Sequence, residues 1–321
     1  MSGEMTAIVM GVHVLDVLVR PVETIPDGQG GVLVEQIHVG PAGSAGGTAV
    51  ILSKLGATVH SAGAIGTDPA GEMLVTLLER HGVDTSLLVR RESVQTSASV
   101  LPIRPNGERP AFHVIGANAT YGPDDAPWDE IAAAGYLHLG GPEFMGGESA
   151  ARILTHAREH GAVTSADILA PGDAGLLEWI APALPHLDFL LPNAEQVLSF
   201  TGALHVVDGC RALVERGVGC VAATCGSDGV LIVDAASADA VPAFEVEVVD
   251  TTGCGDAFSA GLLRGLALGR SRPEAGLLGC AAAALVAQGL GTDHGEFDLA
   301  AADAFAAATP AARSALSTID R

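Results

Sequence analysis

The sequence predicts an α/β protein built on a mostly parallel sheet, with a small separate β-sheet attached. Short apolar runs alternate with longer helical patterns through most of the chain, the order that βαβ units require. Helix start and stop signals fall between those runs. The small sheet rests on a third observation: residues 12–40 and 96–115 break the rhythm with extended, alternating patterns and turn pairs.

The expected strands of the main sheet are Thr58–Ala64, Tyr136–Leu139, Ala162–Ala166, Phe189–Leu191, Cys220–Thr224 and Val230–Val233. One helix is expected to start at Thr67-Asp68 with Pro69 as its first residue and to stop at His81-Gly82. Another starts near Ser271 with Pro273. Proline is tolerated in a first helical turn, where its missing N–H costs nothing, and glycine suits the residue just past the end. Asn106-Gly107 between Ser97–Ile103 and Ala111–Ile115 reads as a β-hairpin. With residues 12–40 it is expected to form a lid on a single domain spanning 1–321. An antiparallel extension of the main sheet is the alternative.

Composition narrows the function classes. A 321-residue chain with 48% hydrophobic and 4% aromatic residues buries a full core of small aliphatic side chains. A net charge of −22 argues against nucleic acid or an anionic membrane as partner, since both attract basic surface. Only one of the 16 basic residues is a lysine, Lys54. The longest apolar run, about Ala275–Ala287, is too short to span a bilayer and reads as a buried helix. No basic segment precedes an apolar run near Met1, so no signal peptide is expected. Five cysteines without CxxC spacing point to a reducing, cytoplasmic location and to neither disulfides nor zinc. The histidines lack metal-site spacing, and His138 reads as a hydrogen-bonded core residue.

The stretch most informative about chemistry runs from Phe244 to Gly261. Phe244-Glu-Val-Glu-Val-Val249 alternates like a half-exposed strand. Beyond Asp256, Phe258, Leu262 and Leu266 recur every four residues, as on one helix face. The turn Asp250-Thr-Thr-Gly-Cys-Gly-Asp256 lies between. Such a turn aims the unpaired N–H groups of a helix N-terminus, with its dipole, at one point, which suits a phosphate. Asp256 is then a carboxylate at the edge of an anion hole, fit to accept a hydroxyl proton. Read alone, the same residues also fit a simple helix cap. No GxxxxGK[S/T] is present, so a Walker-type site is excluded.

Asp250–Gly261 resembles the C-terminal signature of the ribokinase-like (PfkB) carbohydrate kinase family, close to DTxGAGDxFxxG with Cys254 in the usual Ala position. The resemblance extends over about residues 8–295. It includes Gly11-Val-His-Val-Leu-Asp16, the glycine motif Ala42-Gly-Ser-Ala-Gly-Gly-Thr-Ala49, Gly63–Gly71, Gly116-Ala-Asn-Ala119, Pro192-Asn193 through Thr201-Gly202, and Thr224–Gly229.

The resemblance implies a three-layer α/β/α core with a β-sheet lid. It implies an ATP-dependent phosphotransferase acting on a hydroxymethyl or other alcohol group of a small sugar. Asp256 would be the base and Gly253, Cys254 and Gly255 the anion hole. Asp16, Gly43, Ser44, Gly47 and Asn118 would bind substrate with Asp256. Asn193, Thr224, Gly226 and Gly229 would meet ATP. Asp250 and Thr252 would hold a monovalent cation, K⁺, and Asn193 and Gln196 the water shell of Mg²⁺. A homodimer through the exposed lid edge is the expected partner arrangement.

Three positions depart from the family pattern. Gly47 stands where many of these kinases place a substrate-binding Asn, and Ser44 where ribokinase has a basic residue. Gln196 replaces a Glu. Cys254 lies at a helix N-terminus, a position that lowers a thiol pKa; it reads either as a small apolar replacement for Ala or as a thiol whose oxidation or alkylation would block phosphate binding. A nucleoside kinase with Phe112 lining a larger lid pocket is the rival reading. A silent sugar- or nucleotide-binding regulator is the other, Gln196 being the feature in its favour. Arg104 and Arg109 on the hairpin are expected to be solvated, a grip on an anionic substrate group being the alternative.

Overall fold

The structure, a computed structural model, describes residues 4–105, 107–314 and 316. The strands in chain order are β1 (Thr6–Gly11), β2 (Val14–Arg20), β3 (Gln36–Ala42), β4 (Thr58–Gly66), β5 (Asp84–Arg91), β6 (Ala98–Pro102), β7 (Phe112–Val114), β8 (Tyr136–Gly140), β9 (Val163–Asp167), β10 (Phe189–Leu190), β11 (Cys220–Thr224), β12 (Val230–Asp234) and β13 (Ala238–Val241). The helices are α1 (Ser44–Lys54), α2 (Pro69–Arg80), α3 (Trp128–Ala133), α4 (Gly147–Glu159), α5 (Ala174–Ile180), α6 (Ala194–Thr201), α7 (Val206–Glu215), α8 (Cys254–Ala267), α9 (Arg272–Val286) and α10 (Leu299–Ala308).

Nine strands form the main sheet in the order β13-β12-β11-β10-β9-β8-β1-β4-β5. Pairing is parallel from β11 to β5 and antiparallel at the β12 and β13 edge. Every strand foreseen in the main sheet lies in it. Successive side chains of β1 point to opposite faces: Ile8 and Met10 join a core with α4 to α7, whereas Ala7 and Val9 join one with α1, α2, α8 and α9. This alternation, natural to a strand, makes three layers. The predicted helix ends also hold. Asp68 accepts the Gly71 N–H at 2.9 Å ahead of Pro69, and Gly82 follows with φ 77°. Ser271 caps α9 in a reciprocal pair with Glu274, and α9 buries the long apolar run.

The lid is a separate four-stranded sheet, β3-β2-β6-β7, rather than an extension of the main one. β6 and β7 pair antiparallel, as a hairpin should; of its turn pair, Asn106 lies outside the described residues. One lid face carries Leu18 and Leu101, which pack with Ile103 against Leu290 and Val249 and seat the lid on the core. Asp16 and Ser99 are paired on that inner face. The other face presents Ile37, Val39, Val100 and Phe112 to solvent.

One expected strand is absent. Phe244–Val249 makes a single bridge, Phe244 to Ala311, because its backbone neighbours are the C-terminal residues Pro310 and Ala312 and the end of α9. Its alternating side chains line a cavity instead. Among the described residues no single helix is long and apolar enough to cross a membrane.

Candidate active site

The motif residues gather at the carboxyl ends of the parallel strands, where open α/β sheets hold ligands. Helix α8 starts there, and Gly253 caps it with φ 76°, a left-handed conformation. Glycine is needed on two counts, since a Cβ at 253 would also fall 2.5 Å from Thr292 Cβ. Cys254 N–H donates to Thr251 O at 3.3 Å. The next two amides, of Gly255 and Asp256, have no hydrogen-bond partner among the described residues, and the space over Gly255 is open. Two amides and a helix dipole thus converge on open space, as an anion hole requires.

Asp256 stands beside those amides, against α1, with Thr48 Oγ1 3.5 Å from its carbonyl. Burial drives its carboxyl well above the ordinary range; the charges of Asp167 and Asp16 push further, and Arg109 opposes them. A Cβ on Gly47 would collide with Asp256 Oδ2 and lie 2.8 Å from Asp256 Cγ and Thr292 Cγ2. The missing side chain at 47 is therefore what admits the Asp256 carboxylate.

Asp16 is only 6% exposed. Burial raises its carboxyl to about 6, with Ser99 and Arg109 opposing and Asp250 adding to the shift. Asp16 Oδ1, Ser44 Oγ and Asp167 Oδ1 are buried polar atoms without a partner among the described residues. Such atoms are rare unless something else binds them. Gly43 supplies the turn into α1, with φ 81°. Asn118 was expected to touch substrate. Its Oδ1 accepts from His13 N at 3.1 Å and its Nδ2 donates to His13 O at 2.9 Å, so it braces the chain beneath the lid.

A cavity of about 580 Å³ runs from Thr224, Gly226 and Gly229, past Phe244, Val246 and Val248, to Cys254 and Gly255. Its far wall is apolar, formed by Phe258, Ala283, Ala284 and Ala287. Asn193 bridges to Thr224 at its edge. Gln196 is placed otherwise than foreseen. It shares a reciprocal cap with Asn193 and donates both Nε2 hydrogens, to Ile168 O (2.8 Å) and Ala170 O (2.9 Å). It fastens α6 and does not line the cavity.

Asp250 and Thr252 are buried together: Thr252 N–H and Oγ1 donate to Asp250 Oδ1 at 3.1 and 2.9 Å, and Gly291 N–H donates to Oδ2 at 3.2 Å. Thr292 Oγ1 nearby has no partner. A buried carboxylate with hydroxyl oxygens suits a hard cation such as K⁺. Among the described residues no group of three or more His, Cys, Asp or Glu could hold a metal.

Two further positions are decided by packing. Burial and the charge of Asp250 raise the Cys254 thiol to about 12, as suits a small apolar residue in the usual Ala position rather than a reactive thiol. Arg109 is not merely solvated: Nη1 donates to Thr252 Oγ1 at 2.6 Å, whereas Arg104 pairs with Glu108 at the surface. Phe112 points away from Asp16, 57% exposed, and lines no substrate pocket within this chain. Asp167, whose charge acts on Asp256, was not among the expected site residues. Its position at the carboxyl end of an apolar parallel strand was the signal available.

A glycine-turn anion hole, a buried carboxylate beside it and a nucleotide-sized cavity, on a three-layer core with a lid, define an ATP-dependent kinase. The pfkB family carbohydrate kinase model matches residues 8–297, and the chain belongs to that family. It is 26% identical to the aminoimidazole riboside kinase of Salmonella typhimurium over 231 residues, 70% of this chain and 72% of that protein. It is 26% identical to a nucleoside kinase of Methanothermobacter thermautotrophicus over 300 residues, 91% and 92% of the two chains. Its fold superimposes on Arabidopsis thaliana ribokinase, complexed with ribose and ATP, with a TM-score of 0.81 at 21% identity, covering 94% of this chain and 98% of that one.

Proposed function

We propose that the protein transfers the γ-phosphoryl group of ATP to an alcohol group of a small sugar held beneath the lid, with Asp256 accepting the hydroxyl proton. The observation that carries this reading is a carboxylate of raised pKa beside two helix amides without a partner among the described residues, acted on by the charges of Asp167 and Asp16, each of which has a buried oxygen likewise without one. Sugar hydroxyls would satisfy those atoms. The polar inner lid face, where Ser99 Oγ lies 3.0 Å from His113 Nδ1, favours a polyol over a flat apolar base.

ATP would occupy the cavity, its base against the alanines of α9 and its phosphates toward Thr224, Gly226, Gly229 and the Gly253–Gly255 turn. Mg²⁺ would come with the phosphates, its waters within reach of Asn193. K⁺ would sit at Asp250 and Thr252, where it would hold the turn in place and add positive charge. The hydroxyl oxygen attacks the γ-phosphorus as its proton passes to Asp256, and the bond to ADP breaks. Positioning and charge stabilisation do most of the catalysis in such a transfer. The apolar outer lid face suits contact with a second copy of the chain.

The second reading, a nucleoside as acceptor, is favoured by the riboside and nucleoside kinases among the relatives. Incubating the protein with Mg-ATP and K⁺ against a panel of sugars and nucleosides, and following ADP release, separates the two. Turnover confined to nucleosides would replace the first reading, and binding without turnover on any member would make the protein a silent binder. Asp256→Asn should keep nucleotide binding and lose roughly 10²–10⁴-fold in kcat, the usual contribution of a general base. Near-normal turnover in that variant refutes the assignment.

A further inference from the structure

Arg109 stands on the loop joining β6 to β7 and crosses from the lid to the anion-hole turn. Its Nη1 bonds Thr252 Oγ1, which itself donates to Asp250 Oδ1. Its charge also acts on Asp16, Cys254 and Asp256, and Thr252, its bonded partner, lies in the same turn as the open amides of Gly255 and Asp256. The cleft is otherwise acidic. Asp16, Asp167, Asp250 and Asp256 already crowd it, and a nucleotide triphosphate brings further negative charge. Among the described residues, Arg109 is the basic group that acts on Asp256. Lys54, the only lysine, is held by the carbonyls of Asp293, His294 and Gly295 at 2.6, 3.3 and 2.6 Å.

We infer that Arg109 is a further catalytic residue, whose guanidinium exchanges Thr252 Oγ1 for oxygens of the phosphoryl group in transit above Gly255 and Asp256. The inference rests on the kinase reading above. Arg109 stays protonated throughout and only donates hydrogen bonds; the proton of the acceptor goes to Asp256 and the leaving electron pair to ADP. A planar fork matches two phosphoryl oxygens at once, which an ammonium does not. Its hydroxyl partner in the turn is neutral and readily replaced by a charged one. Because its partner belongs to the anion-hole turn, its work falls on phosphoryl transfer rather than on acceptor capture.

The test needs no knowledge of the acceptor. ADP binding, with Mg²⁺, is measured by calorimetry with and without aluminium fluoride, which mimics a phosphoryl group in transit. The intact protein should bind ADP more tightly when aluminium fluoride is present. Arg109→Ala should bind ADP alone as the parent does and lose the fluoride-dependent gain by about 10³-fold or more, in the range of cationic fingers in phosphoryl transfer. With an acceptor from the panel, the same loss should fall on kcat with KM nearly unchanged. Guanidinium ion added to Arg109→Ala should restore part of it, and Arg109→Lys should lie between. An undiminished fluoride-dependent gain in Arg109→Ala, or a defect confined to acceptor KM, overturns the inference. A parent protein that binds no ADP would instead bring down the kinase reading, and this inference with it.

Discussion

Gly47→Ala adds one methyl group and should disable the site without unfolding the protein. The new Cβ would overlap Asp256 Oδ2 and lie 2.8 Å from Asp256 Cγ, where ordinary contact begins near 3.4 Å. The carboxylate carbon must retreat by about 0.6 Å, and its oxygen further, a scale on which a displaced catalytic group costs roughly 10²-fold in rate. Strain from such overpacking is about 1–3 kcal/mol, and the better helix propensity of alanine inside α1 returns about 1 kcal/mol of it. Gly46→Ala is the matched control. Its Cβ would meet His13 Cδ2 at 3.6 Å, an ordinary contact, so it gains helix propensity with no collision. The assay is kcat on whichever acceptor the panel yields, with thermal melts of both variants. Parent-like kcat in Gly47→Ala would refute the reasoning, as would equal losses in both variants.

Other consequences are equally open to measurement. Burial lifts the Asp16 carboxyl from the ordinary 3.8 to about 6, so the folded state holds a proton that the unfolded chain releases. Stability should therefore fall as pH rises from about 4 through 6, by about 3 kcal/mol in all. Asp16→Asn should flatten that part of a urea-melt series, and parallel profiles would exclude this origin. With its thiol raised to about 12, Cys254 should react with iodoacetamide at pH 8 far more slowly than a free thiol, as labelled-peptide mass spectrometry would report. Gly253→Ala combines a left-handed φ with a collision against Thr292, and should weaken ADP binding at least tenfold by titration, because the amides it positions move.

Local signals made much of this protein legible before its structure. Apolar runs such as Cys220–Thr224 coincide with β11, because a strand buried on both faces must be continuously apolar. Asp68-Pro69 and Ser271 mark helix starts, because capping is a contact between neighbours. The turn from Asp250 to Asp256 was legible for the same reason, since the open amides and the carboxylate that the structure places together lie within one helical turn. Where partners lie far apart, the sequence was silent or misleading. Phe244–Val249 alternates like a strand, yet the C-terminal segment beside it makes it a cavity wall.

The sequence by itself determined the fold class, the helix ends and the kind of chemistry, since these depend on periodicity and on residues a few places apart. Only the tertiary structure decided how the site is tuned. Thr48 and Asp256 meet across 208 residues, and that meeting makes Gly47 a space left for the Asp256 carboxylate. Packing also turned Arg109 inward from a hairpin and raised the Cys254 thiol by burial. Burial and charge proximity are properties of packed neighbours, and no local pattern encodes them.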